Sequence, residues 1–127
     1  MSYHVSKARF DQLVEQALSE LPESFAEHLE EVPVEVRDYP TRGQIKQAER
    51  DDRRGLLLGL YHGRPLTHRS VEDSGRMPDL IYLFQKNIEA VCESEAELVE
   101  QVRVTVLHEI GHHFGMDEND LDDAGYG

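Results

Sequence analysis

Positive charge is scarce in this chain. Thirteen of its 127 residues are Lys or Arg against 26 Asp or Glu, a formal net charge of −13. A field of that sign repels a phosphate backbone, so nucleic acid is excluded as an expected partner. Cysteine is nearly absent as well. Cys92 alone cannot close an internal disulfide, which suits a reducing compartment, and a lone thiol is read first as a small buried apolar group. No apolar run is long enough to span a bilayer, and Met1 to Lys7 lack the charged start, apolar stretch and small-residue cleavage site of a signal peptide. The expectation is a cytoplasmic protein with no membrane partner. Hydrophobic residues make up only 39% of the chain, yet they fall in periodic segments that can build one core. Residues 1–127 are therefore expected to form a single domain, with no length left for the second lobe from which larger peptidases build a cleft.

Apolar spacing then divides the chain. Phe10, Leu13, Val14, Ala17, Leu18 and Leu21 recur at helical intervals and predict a helix over 6–20. Pro22 breaks it and opens a second short helix over 23–30, with Phe25 and Leu29 facing inward. Val32, Val34 and Val36 alternate and are β-branched, predicting a strand over 32–36. Residues 41–54 are polar and charge-rich and read as a loop, its Arg50-Asp51-Asp52-Arg53-Arg54 cluster a solvated surface. Residues 55–61 read as a strand and 66–77 as a loop, while Leu80-Ile81-Tyr82-Leu83-Phe84 has the continuous apolar character of a central strand. A short helix or turn is expected over 87–92. The order helices, strands, helices predicts an α+β domain with a small sheet.

The chemistry lies in the last predicted helix. Ser94-x-x-Glu97 is a capping-box pattern that starts it, Val99, Val102, Val106, Ile110 and Phe114 form its buried face, and Gly115 supplies a residue suited to end it. Within it stands His108-Glu109-Ile110-Gly111-His112. Each helical residue turns by roughly 100°, so two histidines four apart project from one face and can offer two imidazole nitrogens to one ion. Zinc takes that pair readily, and a glutamate beside the first histidine can receive a proton from water on the ion without being a ligand. A catalytic site needs a third protein ligand. If Gly115 reverses the chain, Glu118 or Asp117 is brought toward the ion. Glu118 is favoured because it stands three residues after the glycine, where longer signatures of this type place their third ligand. No later Met-turn follows. His113 points about 100° away from His112 and reads as a supporting or surface residue, and His4, His28, His62 and His68 read as ordinary polar or packing histidines. Arg64 and Arg69 could orient a substrate carboxylate or carbonyl, although pairing with acidic neighbours is the plainer reading. Tyr126 is a candidate oxyanion donor should the tail fold over the site.

The run from Thr105 to Glu118, together with residues 56–70 and the strand at 78–84, resembles the bacterial minimal-zincin family. The likeness extends over about residues 34–126, and the metal helix is its specific part. In that family the pattern is H-E-x-x-H-x-x-G-x-x-D. The resemblance thus implies a compact domain with a small mixed sheet packed on helices, His108, His112 and the carboxylate at 118 as metal ligands, and Glu109 as base. The departure is glutamate where the family has aspartate, and its longer stem leaves Asp117 as the alternative ligand. The activity expected is hydrolysis of a peptide or protein substrate with one zinc ion. The rival expectation is a non-catalytic metal-binding or protein-interaction module that keeps the motif, and a third is hydrolysis of a non-peptide substrate.

Overall fold

The computed structural model describes residues 2–30, 32–50, 55–63 and 79–113, excluding the side chains of residues 28, 50, 112 and 113. Helix α1 (Lys7–Ser19) starts where the Ser6 hydroxyl accepts from Arg9 N at 3.1 Å, and it buries Phe10, Leu13, Val14 and Ala17 as the spacing requires. Pro22 lies just before α2 (Glu23–Leu29), whose Phe25 is 2% exposed. The first strand, β1 (Val34–Arg37), lies two residues later than the alternating valines predict at its start and one later at its end.

Residues 41–54 do not form only a loop: Arg42–Arg50 is a helix, α3. Its start is a reciprocal cap. Thr41 Oγ1 accepts from Gln44 N at 3.1 Å while Gln44 Oε1 accepts from Thr41 N at 2.8 Å, which satisfies two otherwise orphaned donors. Ala48 is its buried contact. The remainder of the charged cluster, 51–54, lies outside the described residues. The next strand is shorter than predicted: β2 (Gly59–His62) follows an irregular segment at 55–58. The predicted loop at 66–77 lies outside the described residues.

Strand β3 (Leu80–Phe84) is central, as its continuous apolar sequence predicts. The order is β1-β3-β2, with β1 parallel and β2 antiparallel to β3, so the sheet is mixed. Helix α4 (Gln85–Ala90) follows at once, two residues earlier than predicted. The fold class is thus α+β, in agreement with the sequence. No helix among the described residues is long and apolar enough to cross a membrane.

The last helix, α5 (Glu95–His113), begins at the predicted cap. Ser94 Oγ accepts from Glu97 N at 3.1 Å, while the Glu97 carboxylate returns to the Ser94 hydroxyl at 3.4 Å. Val99, Val102, Val106 and Ile110 are buried, together with Leu98 and Leu107. That buried surface is shared: α5 packs against α1 along much of its length and also against β2 and β3. Arg9 of α1 clasps Glu95 in the first turn of α5 with two bonds, at 2.7 and 2.9 Å. Sheet and helices close over one main cluster that joins Phe10, Phe25, Ile81, Leu83, Val102 and Ile110.

Candidate metal centre

Close contact between α5 and the sheet edge positions the site. At Gly59 an added Cβ would lie 2.6 Å from Thr105 Cγ2 and 2.9 Å from Tyr82 O, so only glycine lets the helix come this near to β2. The contact carries Glu109 to the strand. Glu109 is 3% exposed, and its Oε1 accepts from Tyr61 N at 2.8 Å. A backbone donor of a sheet-edge strand is thus matched by a carboxylate, which fixes the orientation of that carboxylate as a buried acid requires. Tyr61 is anchored at its other end too, its hydroxyl bonded to Asp79 Oδ2 at 3.2 Å.

His108 is exposed, while Glu109 and Ile110 after it are buried. It lies on the stripe of α5 that includes Gln101, Val104 and Thr105, and this stripe forms one wall of a cleft of about 830 Å³. Residues of α3 and the 55–58 segment form the opposite wall, and both His108 and Glu109 open on the cleft. The size is within the range of small-molecule and peptide-subsite clefts.

Of the residues expected to bind metal, His108 and His112 both lie within α5, one turn apart. Glu118 and its alternative Asp117 lie outside the described residues, as do Arg64, Arg69, His68 and Tyr126. Among the described residues, no group of three His, Cys, Asp or Glu side chains is placed to hold a metal ion. The donor chemistry nonetheless suits zinc as far as it is described: an exposed imidazole, a second histidine position one turn on, and a carboxylate in the same cleft that is held by a strand and so is not needed as a ligand. Two further histidines with described side chains, His4 and His62, make contacts elsewhere. His4 bonds Glu89 at 3.2 Å, and His62 packs edge-on to Tyr82.

Sequence reasoning missed two contributors: the Tyr61 N–H that orients Glu109, and the wall supplied by α3. The first leaves no trace in sequence, because any residue at 61 other than proline carries that N–H. The second is signalled by Thr41-x-x-Gln44.

A small mixed sheet with an H-E-x-x-H helix along one edge strand defines a zincin-like domain. The chain belongs to the zincin-like metallopeptidase family, whose profile matches residues 29–126. Among solved structures it is similar to a conserved hypothetical protein from Thermo thermophilus, with 25% identity, a TM-score of 0.54, and coverage of 87% of this chain and 94% of the other. No curated protein matches the chain.

Proposed function

We propose that this chain hydrolyses peptide bonds with one zinc ion held by His108, His112 and Glu118, with Asp117 as the alternative third ligand. The observation that carries the reading is the Glu109 carboxylate, buried in the wall of the cleft beside His108 and oriented by Tyr61 N. Zinc, when bound, supplies a Lewis acid that brings the pKa of a water toward neutrality and polarises the scissile carbonyl. His108 and His112 contribute neutral imidazole nitrogens, which is the form that binds. Glu109 receives the proton of the attacking water on its carboxylate, which Tyr61 N orients through Oε1. As the new C–O bond forms and the C–N bond breaks, Glu109 passes that proton to the departing amine and returns to its starting state. The bond from Tyr61 N keeps the carboxylate plane fixed throughout, so the base need not reorganise.

The partner on this reading is a peptide or protein, and the net charge of −13 argues against nucleic acid. The location is read as cytoplasmic from the lone cysteine, and residues 1–127 are read as one domain. The same Glu109–Tyr61 bond also favours a second reading, because joining helix to strand is what a purely structural carboxylate would do. In that case the chain is a non-catalytic metal-binding or protein-interaction module.

Metal analysis of protein purified without chelator or affinity tag, followed by a peptide-library assay with and without chelator, separates the two. Expected are stoichiometric zinc, chelator-sensitive cleavage, and a Glu109→Gln variant that keeps zinc while losing at least about 100-fold in rate. Full activity in that variant removes Glu109 from the role of base. Zinc with no cleavage of any library peptide favours the module.

A further inference from the structure

The cleft beside His108 has a chemical character of its own. On one side, the α5 stripe from Gln101 to His108 covers seven helical rises, about 10 Å of helix axis. Facing it are Ile45 of α3 and Leu56 of the irregular segment, with Val104 on the helix wall between the polar residues. Ile45 is 41% exposed and Leu56 54%. They are two of only four large hydrophobic side chains exposed among the described residues, so apolar surface left open to water is concentrated here.

Four of the polar groups that line the same cleft are engaged inside the protein. Gln101 Nε2 donates to Thr105 Oγ1 at 3.3 Å, Asn87 Nδ2 donates to Leu57 O at 2.8 Å, and Glu109 is held by Tyr61 N. Apart from Glu109, the acidic group on the described lining is Glu49, and no Lys or Arg is present there. Against the described lining, a guest carboxylate meets like charge at Glu49 and Glu109 and no basic partner, at a cost that burial increases. An apolar guest would cover Ile45, Leu56 and Val104 and remove their surface from water.

Resting on the peptidase reading, we infer that this cleft is a specificity subsite: it accepts one large aliphatic or aromatic side chain of the substrate, beside the cleaved bond, and rejects an acidic one. Side chains on the same side of an extended peptide are about 7 Å apart. The described α5 wall runs about 10 Å along the helix axis beside His108, long enough to take one of them in full.

Two measurements on the full chain keep the fate of this inference apart from that of the peptidase. The first is binding, read by amide NMR on the Glu109→Gln variant, with N-acetyl-leucine amide, N-acetyl-phenylalanine amide and N-acetyl-aspartate amide as probes. The first two should shift the resonances of Ile45, Leu56 and Val104, with the aspartate derivative at least about tenfold weaker. Because Ile45 and Leu56 are largely exposed, Leu56→Asp and Ile45→Asp can be made without opening the core, and each should weaken the apolar probes by about tenfold. The second is the library assay on the unmodified chain, where one position next to the cleaved bond should prefer Leu or Phe over Asp by at least about tenfold, a preference that Leu56→Lys reverses toward acidic residues. Apolar binding at the cleft without any cleavage would leave the subsite standing and sink the peptidase. Cleavage with no preference at that position, or probe shifts that are equal for all three amides or lie elsewhere, would overturn the subsite.

Discussion

A carboxylate that is 3% exposed and bonded to the backbone of the neighbouring strand is held by more than its own helix, and Glu109 should show this in stability as well as in rate. Glu109→Ala removes the acceptor of the Tyr61 N–H and leaves a gap in the wall, at an expected cost of about 1–3 kcal/mol. Glu109→Gln keeps a carbonyl oxygen for that N–H and should cost under about 1 kcal/mol. Urea unfolding of the two variants checks the contrast; equal losses would mean that the Tyr61 contact contributes nothing. Cys92 offers a second test at this scale. Burial, with Glu97 adding its negative charge, pushes the thiol up to about 11, and the residue is 1% exposed. Only thiolate reacts appreciably, so Cys92 should resist an aromatic disulfide reagent at pH 8 and label at once in denaturant. Rapid labelling of the folded chain would contradict both its burial and the reading of a lone cysteine as a packing group. The sequence conveys that cysteine's burial and the place of His108 and Glu109 on one helix. It cannot convey that a main-chain donor at 61 orients the acid, because backbone hydrogen bonds carry no residue identity.

Helix α3 marks the limit of reading elements from hydrophobic spacing. Over Arg42–Arg50 the only nonpolar side chains are Ile45 and Ala48, and Gly43 stands in the first turn, so an apolar stripe is barely visible. The helix declares itself instead by its cap, since Thr41-x-x-Gln44 is the same class of pattern that locates the start of α5 at Ser94. Elements with strong patterns are more legible: α1, α2 and β3 come within a residue or so of their predicted bounds, because several buried side chains fix α1 and β3, while Pro22 and the buried Phe25 fix α2. The segment 55–58 has the leucines of a strand. Phe84 N still bonds Leu58 O in register with the ladder, but at Leu57 a side chain, Asn87 Nδ2, takes the carbonyl in place of a strand partner, and the regular strand begins only at Gly59. Short helices with one buried contact depend on their caps. Thr41→Ala should therefore cost about 1 kcal/mol and speed hydrogen exchange through α3, with α5 unaffected. Unchanged exchange at Ala48 would show that packing rather than the cap holds the helix.

For the molecule as a whole, acidity acts in two opposite directions. At neutral pH the net charge of −13 repels itself, so added salt should raise the urea midpoint, and mild acidification should do the same as the chain approaches its pI of about 4.8. Below that the balance turns on Glu89, whose side chain is fully buried. Burial by itself would raise its pKa. The bonds from Val5 N at 2.9 Å, from Gln85 Nε2 at 3.2 Å and with His4 at 3.2 Å, with Lys86 nearby, outweigh burial and hold the carboxyl below its ordinary 4.5. A carboxyl whose pKa is lower folded than unfolded binds more protons in the unfolded chain between the two values, so in that window stability rises with pH. Its contribution is complete above about 4.5 and is lost as pH falls through the lower, folded value. Since the partners of Glu89 are Val5 and His4, the loss should be felt first as release of the segment before α1 from α4. The expected profile of urea midpoint against pH is thus a maximum near the pI with a steep fall on the acid side, and Glu89→Gln should flatten that fall even if it lowers the whole curve. Were the variant to keep the same acid slope, the protonation that unfolds this chain would have to be sought in other carboxylates, with Glu95 beside Arg9 and Glu100 beside Arg103, both likewise held below 4.5 by those bonds, as the next to replace.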